Sequence, residues 1–138
     1  MRPRERKRLL AKTLLGAVAG ATLAGCTAPA ETPSGAQLYS THCTACHGID
    51  GEGGGPVAAV MQITVPNLRS LKARNGGVFP TDAVSAYIDG RQIPASHGDR
   101  QMPIWGDVFR SQEGRNTADI VRRRIAAIVS FIEELQYR

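Results

Sequence analysis

The clearest regular pattern of apolar residues lies near the carboxyl end of the chain, where such residues recur at steps of three and four. This spacing puts them on one stripe of an α-helix, and the stripe must be buried against the rest of the domain. Asn116 precedes the stripe as a helix-capping residue, and the arginines at 122–124 are expected on the solvated face. The stripe consists of Val121, Ile125, Ile128, Val129, Ile132 and Leu135.

Two shorter helices are predicted earlier in the chain. Ser34, with Gln37 three residues further on, has the capping-box arrangement that opens a helix. Residues 81–89 predict a second short helix, capped by Thr81 and ended at Gly90. Alternation of the kind typical of strands is scarce, so the sequence predicts an all-α domain.

A different apolar pattern stands near the amino terminus. Residues 14–25 form an apolar run behind a basic segment, which is the layout of a secretory signal. The run is shorter than the roughly 20 residues that a membrane-spanning helix needs. It ends in LAGC, and this ending, with Cys26 as its last residue, resembles the lipobox of bacterial lipoproteins. In that family the signal is removed before the cysteine, which is acylated; an ordinary signal cleaved nearby or an uncleaved anchor is the alternative.

These patterns divide the chain of 138 residues into three parts. Residues 1–25 are predicted to be a lipoprotein signal peptide, residues 26–33 a flexible tether, and residues 34–138 a single domain. The formal charge of +5 comes from the signal, because residues 26–138 contain 11 basic and 11 acidic residues. A neutral domain lacks the basic surface of a nucleic-acid-binding protein, so no nucleic-acid partner is expected.

The candidate chemistry lies in the segment THCTACHG, in which Cys43 and Cys46 are one helical turn apart and His47 follows directly. The C-x-x-C-H pattern is typical of a c-type haem attachment site. If Cys26 carries lipid, these two cysteines remain as a pair. A thiol redox site would need a neighbouring βαβ pattern, and a zinc site would need a fourth ligand. Cysteines without a functional role are the remaining alternative.

The second axial ligand of such a haem decides its function. An iron with both axial positions occupied carries electrons, whereas an iron with one open position binds small molecules. Methionine opposite histidine is the electron-transfer pairing. Met102 is the main candidate, since Pro103 favours an extended backbone at the methionine. Met61, in an apolar stretch where it is expected to fill the core, and His97 are the alternatives, together with an open position.

These segments together resemble a class I cytochrome c, one of the single-haem, mostly helical electron carriers, over residues 34–138. The resemblance is carried by CTACHG, the glycine-rich residues 51–56, MPIWG and the final amphipathic helix. It implies the class I cytochrome c fold, in which the first and last helices cross beside one covalently attached haem c. The residues expected at that crossing are Gly35, Tyr39, Ile128 and Phe131.

The resemblance also implies roles for residues around the haem. The residues that match the family's two covalent attachment positions and two axial iron ligands are Cys43, Cys46, His47 and Met102. In this family a proline carbonyl accepts a hydrogen bond from the ligand histidine, and Pro56 is the candidate for that role here. Trp105, Tyr87 and Arg91 are expected to support the haem at its propionates.

Together, the cytochrome c resemblance and the lipobox resemblance predict a lipid-anchored periplasmic electron carrier, and not an enzyme. The expected partners are membrane respiratory complexes or periplasmic redox proteins. The lipid on Cys26 would hold the domain, expected to be a monomer, at the periplasmic face of a bacterial membrane. The alternatives are a haem-bearing electron-entry subunit of a dehydrogenase or oxidase complex, and a haem enzyme or gas sensor with a labile sixth ligand.

Overall fold

The computed structural model describes residues 33–91, 101–112 and 117–137, and within these ranges the regular secondary structure is entirely helical. A 3₁₀ turn at Leu68–Ser70 accompanies the helices. The α-helices are α1 (Gly35–His42), α2 (Thr44–His47), α3 (Pro56–Met61), α4 (Leu71–Arg74), α5 (Thr81–Asp89), α6 (Trp105–Gln112) and α7 (Thr117–Glu134). The predicted signal, most of the tether, Cys26, His97 and Asn116 lie outside the described residues.

Helices α1 and α7 cross at the centre of the fold, and the crossing depends on a glycine. A Cβ atom on Gly35 would lie 2.9 Å from the Cβ atom of Phe131, and closer still to the backbone of Ala127. The ring of Tyr39, which is 1% exposed, lies 5.2 Å from the ring of Phe131. Ile128 belongs to the same buried core. The predicted crossing is therefore confirmed.

The predicted stripe of α7 is buried, with Leu135 only partly so. Helices α5 and α6 pack against α7, and α6 contributes the fully buried Phe109. Arg124 differs from the prediction of a solvated arginine face. Its guanidinium lies 5.6 Å from the ring centroid of Phe109 and donates to Gln112 at 3.4 Å. The long apolar stem of an arginine permits this, because it can cover a ring while the charged end stays near water.

The glycine-rich segment connects α2 to α3 through a close backbone contact. The Gly55 N–H donates to the Cys46 carbonyl at 3.0 Å, and a Cβ atom on Gly55 would lie 2.5 Å from the carbonyl oxygen of Ala45. Glycine is therefore needed there for packing against α2. On α3 itself, Met61 is 57% exposed, so the prediction that it fills the core was wrong.

Helix α5 has the predicted bounds, with one difference at its start. The capping position is occupied by Pro80, and Thr81 is the first helical residue. Gly90 ends the helix in the left-handed region, as predicted, with a φ of 85°. Among the helices of the described ranges, none combines the length and the apolar character that crossing a membrane requires.

Candidate haem site

A cavity of about 890 Å³ lies between α2, α5 and the start of α6, with residues 63–66 closing another side. Its size is within the range of small-molecule and cofactor pockets. Most of its lining is apolar, as a flat hydrophobic ring system requires. Chemistry-bearing side chains reach it from two separate segments of the chain. They are His42, Cys43, Cys46 and His47 from the first segment, and Met102 and Trp105 from the second.

Backbone hydrogen bonds fix the cysteine motif at the end of α1. The Cys43 N–H donates to the Tyr39 carbonyl at 2.9 Å, and the His47 N–H donates to the Cys43 carbonyl at 2.8 Å. The short helix α2 therefore starts where α1 ends, and it turns Cys43, Cys46 and His47 toward one cavity. Both cysteines are free thiols, as covalent attachment of a haem requires.

The buried thiol of Cys43 is poorly suited to thiol–disulfide exchange. Burial, and secondarily the neighbouring Cys46, raise the pKa of Cys43 from 9.0 to about 12. The thiolate is the reactive species, and this group stays protonated at neutral pH. No cluster of three His, Cys, Asp or Glu side chains in the described part of the chain is arranged to hold a metal ion by itself. Neither the redox alternative nor the zinc alternative gains support.

His47 has the protonation state and the burial that a metal ligand needs. It is 9% exposed, and burial lowers its pKa, so the imidazole is neutral near pH 7 and has a nitrogen lone pair to offer. The carbonyl of Pro66 acts on the ring in the opposite direction and raises the pKa. Within the described residues, no group makes a hydrogen bond of standard geometry to the buried Nδ1 of His47, and the Pro66 carbonyl is the acceptor that acts on the ring.

The proline behind the histidine is therefore Pro66, and the prediction of Pro56 was wrong. Pro56 is exposed at the first position of α3, where a proline fits because that residue's N–H would have no helical partner. Pro66 lines the cavity and comes directly before Asn67 and Leu68. The side chain of Asn67 accepts from the Arg69 N–H at 2.8 Å and caps the 3₁₀ turn that begins at Leu68.

Met102 lines the same cavity as His47 and is partly buried against the core. It precedes α6 in an irregular segment that bends at Met102 itself. Met61 lies on the exposed side of α3 and is not among the residues that line the cavity. Of the two methionines of the described residues, only Met102 lines the cavity that His47 lines.

The three remaining predicted haem supports have different positions. Trp105 lines the cavity, and so does Tyr87. Arg91 does not line it: its side chain is exposed and forms an ion pair with Asp89 at the end of α5. An arginine with a carboxylate two residues away is held on the surface, so the structure does not support the predicted contact of Arg91 with a propionate.

His42 is a cavity residue that the sequence analysis did not identify. Its ring lies 4.9 Å from that of Trp105 and 5.1 Å from that of Phe109. Burial, and secondarily the charge of Arg124, lower the pKa of His42, so its ring is neutral in this apolar contact near pH 7. Helical periodicity contained the signal, because His42 is four residues after the buried Leu38 and lies on the same face of α1.

The residues present fit a haem in three respects: an apolar cavity, two free thiols at its edge, and a neutral imidazole with a methionine lining the same space. This combination defines a helical haem-binding protein. A family model described as Cytochrome c matches residues 33–136, and the chain belongs to this family. It is therefore an electron carrier that contains covalently bound haem c and its iron. No solved structure matches the chain significantly.

Proposed function

We propose that the protein is a lipid-anchored periplasmic cytochrome c that passes single electrons between redox partners, with His47 and Met102 as the axial ligands of its iron. The observation that supports this most is that both side chains line one apolar cavity. A histidine–methionine pair fills both axial positions, which suits electron transfer and leaves no site for a substrate.

The chain's own residues would bind, orient and shield the haem. Cys43 and Cys46 would hold one edge by thioether bonds, and the buried imidazole of His47 would fix the iron's position. Apolar side chains from α5 and residues 63–66 would keep water out. When bound, the haem supplies one-electron chemistry at the iron, and the protein sets its potential through ligands, hydrogen bonds and burial.

The axial assignment is tested by comparing Met102→Ala with Met61→Ala in protein matured with haem. We expect Met102→Ala to lose the methionine–iron absorption band of the oxidised protein and to bind carbon monoxide rapidly when reduced. Met61→Ala should resemble the wild type, because Met61 is exposed on α3. If the wild type itself binds carbon monoxide at once, the sixth position is open, and the gas-sensor or enzyme alternative replaces this proposal.

The lipid anchor is proposed from the LAGC segment and the short apolar run before it. Its test is membrane fractionation of the full chain and of a Cys26→Ser variant, with mass spectrometry of the mature amino terminus. The wild type is expected in the membrane fraction with an acylated Cys26. The Cys26→Ser variant is expected to carry no acyl groups. A wild-type amino terminus that begins elsewhere and carries no lipid would contradict the anchor and leave the haem assignment intact.

The proposed partners are membrane respiratory complexes or periplasmic redox proteins, reached by a monomeric domain at the periplasmic face of the membrane. Contacts of such transient electron-transfer encounters are small. Co-purification under mild detergent tests the alternative role as a fixed subunit of a dehydrogenase or oxidase complex. A free carrier is expected to separate from every complex at moderate salt, and a stoichiometric complex that resists salt would favour the subunit role.

A further inference from the structure

The residues that follow α7 make a dense set of hydrogen bonds with residues 67–72, and the amide of Gln136 lies at its centre. This side chain is buried, with 9% of the residue exposed. Its Nε2 donates to the carbonyls of Leu68 and Ile132, at 2.8 Å each, and its Oε1 accepts from the Lys72 N–H at 2.8 Å. One amide therefore holds three backbone groups, two of them in the 67–72 segment.

A second layer of contacts surrounds this amide on the more exposed side. The Tyr137 N–H donates to the Arg69 carbonyl at 3.0 Å, and Nε of Arg69 donates to the Leu135 carbonyl at 3.1 Å. The guanidinium of Arg69 lies 4.3 Å from the ring centroid of Tyr137. A carboxylate oxygen of Glu52 accepts from Arg69 at 3.1 Å and from the Tyr137 hydroxyl at 2.6 Å. We call Gln136, Arg69, Tyr137 and Glu52 the carboxyl-terminal clamp.

The segment held by the clamp begins directly after the proline that faces the ligand histidine. Residues 68–74 form only a 3₁₀ turn of three residues and a helix of four, and elements this short do not hold their position alone. Leu68 is also held through its N–H, which donates to the Gly51 carbonyl at 2.8 Å. The bonds that Leu68 makes to Gly51 and to Gln136 therefore constrain the chain close to the Pro66 carbonyl.

We propose that Gln136 is a positioning residue for the haem iron, which sets the distance and direction of the Pro66 carbonyl relative to Nδ1 of His47. The inference rests on the proposed role of His47 as an axial ligand. A histidine that donates its other ring N–H to an acceptor becomes a more basic ligand. A more basic ligand favours the oxidised iron. A clamp that holds the Pro66 carbonyl close to Nδ1 therefore lowers the reduction potential, and a clamp that lets the carbonyl move away raises it.

The test uses the haem-loaded protein with Gln136→Ala, which removes the amide that holds Leu68 and Lys72. Two quantities are measured: the equilibrium constant for reduction against a reference couple, and the exchange rate of the His47 Nδ1 hydrogen in the reduced protein by NMR. We expect the equilibrium to shift toward the reduced form by about threefold or more, where about tenfold corresponds to 59 mV for one electron. The ring hydrogen should exchange about tenfold faster, because its acceptor is less well held.

Two control variants separate this effect from a general loss of stability. Gln37→Ala is the same substitution in the capping box of α1, where the side chain accepts only from the Ser34 N–H and is exposed. Ile128→Val weakens the crossing of α1 and α7 without touching the clamp. Both are expected to leave the reduction equilibrium and the ring-hydrogen exchange within about twofold of the wild type, because neither touches the histidine's acceptor.

The proposal is overturned if Gln136→Ala lowers stability as much as Ile128→Val does while both measured quantities remain those of the wild type. If Gln136→Ala does not mature with haem, Tyr137→Phe replaces it. That variant removes the hydroxyl's bond to Glu52 and the bond that Asn67 donates to it at 3.4 Å. A smaller shift in the same direction is expected, and no shift overturns the proposal. Failure of the proposed function is seen separately, in unmutated protein, as rapid carbon monoxide binding or as haem held without His47.

Discussion

The two sides of the cavity are held by different kinds of interaction. On the histidine side, residues 35–55, main-chain hydrogen bonds fix the chain at successive points, such as the 2.8 Å bond from the Gly53 N–H to the His47 carbonyl. On the methionine side, residues 101–112, the contacts to the rest of the fold are mainly made by side chains. Arg110 bonds to Asp89 of α5 at 3.3 Å, and within α6 it also bonds to Asp107 at 2.6 Å; all three side chains are partly exposed to water.

This difference indicates where the domain should be most stable. Exposed ion pairs contribute little in water, whereas a backbone ladder joined to a buried helix crossing opens only when the core opens. We therefore expect the histidine side to unfold together with α1 and α7, and the methionine side to open at a lower free energy. The two proposed iron ligands would then differ in lability, with Met102 easier to displace than His47.

The largest effect is expected from Gly35→Val, which disrupts the crossing of α1 and α7 on the histidine side. The new side chain would meet the Ala127 backbone, and a backbone cannot move aside as a side chain can. We expect a loss of more than about 3 kcal/mol in the free energy of unfolding, measured by denaturant titration, or failure to fold. Ala36→Val is the matched control: it adds the same β-branched group at an exposed position of α1 and should cost about 0.5 kcal/mol.

The next effect concerns the buried hydroxyl of Tyr39, which donates to the Gly48 carbonyl at 3.0 Å. Burial is the main reason that the pKa of Tyr39 rises from 10.0 to about 12. The unfolded chain releases this proton near pH 10 while the folded protein holds it, so stability is fully present below pH 10 and falls as pH rises toward about 12. The total loss is of the order of 2 kcal/mol.

Tyr39→Phe should therefore cost about 1 kcal/mol near pH 7, for the lost hydrogen bond, and should flatten the alkaline part of the stability curve. Urea titrations at intervals between pH 8 and about 12 measure both effects. Tyr137→Phe, at an exposed tyrosine, is expected to keep the alkaline loss of the wild type. If the Tyr39 variant loses stability at high pH as steeply as the wild type does, another group is responsible.

The same comparison explains which parts of the fold and site the sequence could predict. The capping box of Ser34 and the stripe of α7 are local patterns, and both describe the histidine side and its partner helix correctly. Pro66 was missed because its role depends on a chain path that returns to His47 from 19 residues away, which no local spacing reveals. Arg91 was misplaced for a different reason, because Asp89, two residues earlier in the sequence, forms an ion pair with it at the surface.

A smaller effect is expected from His42→Ala, which removes the ring that joins α1 to the methionine side. The ring contacts Trp105 and Phe109, and aromatic contacts of this kind contribute about 0.5–1.5 kcal/mol each. We expect about 1 kcal/mol of local destabilisation, seen as faster hydrogen exchange in α6 than in α1 or α7. Equal acceleration in all three helices would show that the two sides open as one unit and would contradict the comparison.

The smallest effect is expected from Arg110→Ala, which removes the ion pair that connects α6 to Asp89 at the end of α5 and a second pair, with Asp107, inside α6. Because Arg110 is 45% exposed, water and salt screen these pairs, and their joint contribution should be about 0.5 kcal/mol. The difference between wild type and variant should shrink further in 1 M salt, where the screening length is about 3 Å. Arg122→Ala provides the control, because its exposed pair with Asp119 lies within α7 and does not connect two elements. If Arg110→Ala accelerates α6 exchange and Arg122→Ala does not, then even weak side-chain pairs determine how firmly the methionine side is closed.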